Sequence, residues 1–105
     1  MGGFSLNPFF NKILSQNCDD FVIKTQLFSP VPIIVNSIKI GDELNIGLMT
    51  PAGPCIASYH GEIAGTIMCK NMFQLIDCIQ RGKVFIAIVR DIFGGNCSIT
   101  IQLEN

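Results

Sequence analysis

From residue 20 onward this chain is a series of short, β-branched apolar runs cut by proline and glycine, and one internal segment alone carries helical spacing. That punctuation excludes a helical bundle and leaves no room for alternating helix–strand units. Phe21, Ile23, Thr25 and Leu27 alternate with Val22, Lys24 and Gln26, the pattern of a half-buried strand. Ser29-Pro30-Val31-Pro32 ends it, because neither proline can donate to a ladder. Residues 33–40 read as a second strand on their β-branched content, with Gly41-Asp42 as the turn that follows. Another strand is expected over 43–49, with a bulge or close packing at Gly47. A loop carrying Pro51, Gly53 and Pro54 separates it from two runs, 55–60 and 62–68, joined tightly at His60-Gly61. Asp19-Asp20 opens the first strand, and residues 83–93 and 97–103 flank Gly94-Gly95-Asn96, a hairpin signal.

The helical segment covers 70–82. Met72, Phe73, Leu75, Ile76 and Ile79 fall on one face, Lys70 or Asn71 lies near the start, and Gly82 stands where a left-handed cap belongs. A shorter helix is expected to begin at Asn7-Pro8, with Asn7 capping and Pro8 at the first helical position. These elements predict one mainly β domain over 1–105, a small OB- or SH3-like barrel of about five to seven strands. It has one internal helix near 70–81 and a short N-terminal helix, with residues 1–32 as an extension or first strand.

Composition matters here for what it excludes. Charged residues make up only 14% and the net charge is −1, so this is neither a disordered tail nor a chain that binds polyanions by bulk charge. The N-terminus lacks a basic leader and a cleavable apolar run, and no apolar stretch reaches the ~18–20 residues of a membrane span, which predicts a cytoplasmic protein. Five cysteines, an odd number with no CxxC pair, predict reduced thiols packed as small hydrophobes, without a disulfide framework and without a metal site.

Catalytic chemistry finds little to work with. His60 is the single histidine, and Tyr59 and Gly61 beside it carry no nucleophile pattern. The adjacent carboxylates Asp19-Asp20 and Asp42-Glu43 suit turns better than a shared substrate. A non-enzymatic module without a cofactor is expected. The one asymmetry of charge lies between residues 70 and 90, where Lys70, Arg81, Lys83 and Arg90 face a single acid, Asp77. A local basic face there suits phosphates, and the single tyrosine, Tyr59, next to His60 suits stacking on a base.

Half the chain also resembles a known family. IGDELNIGLM at 40–49, with Gly41, Leu44, Ile46 and Leu48, IASYHGEIAGTI at 56–67, with Ile56, Tyr59, Gly61, Ile63, Gly65 and Ile67, and FQLIDCIQRGKVFIAIV at 73–89 follow the scaffold of a HIRAN domain. The family's polar motif is replaced at residues 49–55, where Pro51 and Pro54 keep recognisable places. The resemblance implies a barrel that binds single-stranded DNA ends, with Tyr59, His60, Lys70, Arg81, Lys83 and Arg90 as contact residues. The alternative is a protein–protein module working through an apolar surface, an accessory or inhibitor protein of a mobile element or a homodimer.

Overall fold

The computed structural model describes residues 18–104. A 3-10 turn at Cys18–Asp20 leads into β1 (Ile23–Phe28), followed by α1 (Pro32–Val35), β2 (Glu43–Leu48), β3 (Cys55–Tyr59) and β4 (Glu62–Ile67). Then come α2 (Met72–Gln80), β5 (Phe85–Phe93) and β6 (Asn96–Leu103). The six strands pair antiparallel in the order β1-β4-β3-β2-β5-β6, and β6 returns to β1, closing the barrel. Closure gives every described strand a neighbour on both sides over at least part of its length, which limits the free sheet edge that is the usual hazard of a small β protein. The short N-terminal helix expected from Asn7-Pro8 lies outside the described residues.

Period-two alternation fills the interior. Ile23 and Leu27 of β1, Leu44 and Ile46 of β2, Phe85, Ala87 and Val89 of β5, and Cys97, Ile99 and Ile101 of β6 all point inward and are buried. Each large side chain so removed from water contributes roughly 1.5–3 kcal/mol. Phe21 meets the ring of Phe85 edge-on, with centroids 5.9 Å apart. Leu27 is held close to β4 because Gly65 has no side chain: a Cβ there would lie 3.2 Å from Leu27 Cβ and 3.2 Å from the Phe28 carbonyl oxygen.

The two tight hairpins form where the sequence places them. His60 and Gly61 both have positive φ (51° and 84°), as do Gly94 and Gly95 (58° and 88°), which is the two-residue turn whose twist matches that of the strands. With α1, these hairpins lie at one end of the barrel, the hairpin end. α2, the β2–β3 loop and the turn at Cys18–Asp20 lie at the other, the helix end. α2 closes in a Schellman motif, in which Gly82 N–H donates to Ile79 O (2.9 Å) and Lys83 N–H to Cys78 O (3.1 Å).

Four expectations need correction. Residues 33–40 are not a strand: Pro32 opens the short helix α1, and Val35 and Ile38, three residues apart, are the buried pair. β-branched composition was the wrong signal, since Val31 N–H is already spent on Ala64 O (2.8 Å) and the prolines prevent a ladder. Phe73 is not on the packed face of α2 but 90% exposed, because Leu75 and Cys78 set the buried stripe. No bulge falls at Gly47; the register slips instead at Ala64 and at Arg90. Finally, the cysteines are not all reduced. Cys18 and Cys78, 60 residues apart, form a disulfide, while Cys55, Cys69 and Cys97 are free. Such a pairing is invisible to local spacing, because the fold alone brings the turn at Cys18–Asp20 beside α2. Among the described residues no helix is long and apolar enough to cross a membrane.

Candidate functional site

β1 has two neighbours, and they hold it unequally. On the β6 side four register pairs run from Ile23↔Ile101 to Gln26↔Ser98. On the β4 side there are two, Leu27↔Ile67 and Phe28↔Thr66. Continued by three residues, that register would set Lys24 against Lys70, and like charges facing each other across strands oppose pairing. The ladder stops short of them. A groove opens instead, lined by residues 22–25 on one side and 69–71 on the other. Thr25 Oγ1 donates to the Met68 carbonyl oxygen (3.0 Å) at its head.

This groove continues around the outside of the barrel. A second one shares Val22, Lys24 and Thr25 with it and crosses β1 and β6 to Arg90 on β5. Arg90 is the extra residue of the β5 bulge, the kind of irregularity that re-aims a side chain. Its Nε donates to Oγ1 of the buried Thr100 (3.1 Å). Lys24 pairs with Thr100 in the β1–β6 register, so Lys70, Lys24 and Arg90 make a row running across the strands. Neighbouring strands lie ~4.8 Å apart, which gives the row a span of roughly 10–15 Å. Gln26, Ser98 and Gln102 supply further polar groups, and no carboxylate lines either groove. Two acids lie close by: Asp91, next to Arg90 and opposite Ser98 in the β5–β6 register, and Asp19, in an adjoining depression that shares Val22 and Gln102.

The other residues singled out from sequence fall elsewhere. Tyr59 and His60 are together at the hairpin end, their ring centroids 4.2 Å apart. Tyr59 Oη donates to Asp42 Oδ2 (2.9 Å), and the Lys39 N–H donates to the same oxygen (2.8 Å). The Lys39 amide and the Tyr59 hydroxyl hold the Asp42 carboxyl below the usual carboxylate range. Sharing its proton with that carboxylate pushes the Tyr59 phenol up. Arg81 and Lys83 sit at the C-terminal end of α2, and the Arg81 guanidinium pairs with the Asp77 carboxylate one turn earlier. The fold therefore gathers Lys70 and Arg90 around Lys24, keeps Tyr59 with His60, and does not bring these two groups together.

Lys24 was missed as a site residue. Strand alternation already placed it outward, but its two partners lie far along the chain and only closure of the barrel assembles them. The free thiols offer little nucleophile. Burial pushes Cys55 up to about 12, and also raises Cys69 and Cys97, so all three stay protonated at neutral pH. Among the described residues no group of three or more His, Cys, Asp or Glu side chains could hold a metal ion.

No protein-family model, no curated protein and no solved structure matches the chain.

Proposed function

We propose that this protein is a non-enzymatic binding module, acting in the cytoplasm, that takes up single-stranded nucleic acid along its phosphates in the groove of Lys24, Lys70 and Arg90. One observation carries the reading: three cations share a continuous groove in which no acid lies. Holding like charges together raises the free energy of the empty protein, and a phosphate set among them removes that repulsion. The hydroxyls of Thr25 and Ser98 and the amides of Gln26 and Gln102 line the same path and suit phosphate and sugar oxygens.

A single strand fits better than a duplex. The groove follows the wall of a closed barrel, and the helices among the described residues are short, four and nine residues long. Among the described residues no aromatic side chain lines it, so contact is through the backbone and indifferent to sequence. The likeness of residues 40–89 to HIRAN domains supports the same ligand class. The test is fluorescence anisotropy at low salt with a labelled single strand and its duplex. Lys24→Ala, Lys70→Ala and Arg90→Ala should each weaken single-strand binding several-fold, whereas Lys39→Ala at the hairpin end should not. No binding at low salt, or an equal effect of Lys39→Ala, would overturn the proposal.

A second reading, a protein-binding or self-associating module, rests on the exposure of Phe73 (90%), Phe93 (79%) and Ile33 (77%). Under it, light scattering would find an oligomer that Phe73→Ser or Phe93→Ser weakens and the three charge substitutions leave intact.

A further inference from the structure

The seam that carries the groove is also the weakest joint of the barrel. Its two register pairs compare with three between β2 and β5, four in three other ladders, and eight between β5 and β6. Past the last pair, Leu27↔Ile67, the strands part, and Lys24 and Lys70 lie on opposite sides of the gap. Their repulsion acts to widen it. The Cys18–Cys78 bridge works against that widening. Cys18 stands four residues before Val22 and Cys78 seven residues after Asn71, both at the helix end where the seam is open, so the bridge joins the turn that leads into one wall to the helix that leads out of the other. Both cysteines are 4% exposed, and Cys78 with Leu75 forms the packed stripe of α2.

We infer that the Cys18–Cys78 disulfide gates the groove: oxidised, it holds Lys24 and Lys70 at the spacing that receives phosphate, and reduced, it lets the seam open and affinity fall. This inference rests on the groove being a phosphate site, and it supplies the regulation of that site. The reaction is a thiol–disulfide exchange with a low-molecular-weight thiol. Two reductant thiols become one disulfide, the Cys18–Cys78 S–S bond breaks, and each cysteine sulfur gains one electron and one proton. Both cysteines are buried, so the exchange proceeds from a locally opened seam, and in a reducing compartment a bridge reached in that way is reversible. Affinity responds because a cleft fixed in its bound shape spends less binding energy on ordering its side chains.

The experiment compares the full chain oxidised, reduced with dithiothreitol, and as the double variant Cys18→Ser with Cys78→Ser, with Cys18→Ala and Cys78→Val as a second bridge-free pair. Single-strand affinity is read by anisotropy, and hydrogen exchange reads backbone amides. Every bridge-free form should bind at least about fivefold more weakly, the low end of coupling between linked sites. Amides of residues 27–28 and 66–67 should lose protection while those of β5 and β6 keep theirs. Equal affinity and equal protection in both redox states, with binding present, would overturn the gate alone. Loss of protection throughout would also overturn it, because the bridge would then support the whole barrel. No binding by the oxidised protein would instead overturn the phosphate reading, and the coupling with it.

Discussion

Replacing Lys24 by Glu should make the protein more stable and a worse binder at once. The wild-type chain faces Lys24 toward Lys70 across the open seam and toward Thr100, which holds Arg90, on the other side. A glutamate there turns two repulsions into attractions. Cross-strand charge pairs contribute roughly 0.2–1 kcal/mol each, and exposure keeps the sum at the low end, so the gain at low salt is about 0.5–1 kcal/mol. For a domain of this size that corresponds to a rise in Tm of roughly 2–8 °C. Thermal unfolding followed by circular dichroism reads it directly. The gain should shrink as salt rises, since the screening length falls from ~10 Å at 0.1 M to ~3 Å at 1 M. Lys24→Gln should give about half the effect, because it removes repulsion without adding attraction. Single-strand affinity should fall in both variants, more in Lys24→Glu. A Tm that drops, or a gain indifferent to salt, would refute the picture of a groove strained by like charges.

Three further outcomes can be measured elsewhere in the barrel. The chain has one tyrosine and no tryptophan, so phenolate absorbance reports Tyr59 alone. Its titration should lie above the ordinary value of 10.0, and Asp42→Asn should bring it back down, since the Asp42 carboxylate is the main cause of the shift. On the acid side, Asp42 is held below its ordinary 3.8, so its contribution to stability is complete above that value and is lost as pH falls through the range beneath it. Tyr59→Phe should flatten this acid loss, seen as a smaller drop in Tm between neutral pH and about pH 3. Gly65→Ala would press a methyl to 3.2 Å from Leu27 Cβ and from the Phe28 carbonyl. Overpacking of this kind costs about 1–3 kcal/mol, which denaturant unfolding would register, with lost protection first at the β1–β4 seam.

Much of the barrel was legible because its signals are local. His60-Gly61 and Gly94-Gly95 supply the positive φ their turns need, and Gly82 stands two residues past the end of α2, just beyond the cap residue Arg81. Alternation from Phe21 to Leu27 sorted inside from outside correctly. Residues 33–40 misled because composition speaks for strand while Pro32 and the three-residue spacing of Val35 and Ile38 decide for helix. The groove was half legible. Lys70 and Arg90 stood out as cations in a stretch with few acids, but the residue that joins them, Lys24, does so through strand closure alone. Tyr59 and His60 looked like neighbours of that basic set, and the topology sends them to the hairpin end. The Cys18–Cys78 bridge was illegible for the same reason as Lys24, because both depend on contacts across tens of residues.

The most direct test of phosphate binding is the salt dependence of single-strand affinity in the wild type and in the triple variant Lys24→Ala, Lys70→Ala, Arg90→Ala. Each phosphate neutralised on a single strand contributes about −0.7 to the slope of log K against log salt, so three contacts predict a slope near −2. The triple variant should bind weakly with a slope close to zero. A wild-type slope near zero, or a triple variant that keeps the wild-type slope, would contradict the groove as the place where phosphates bind.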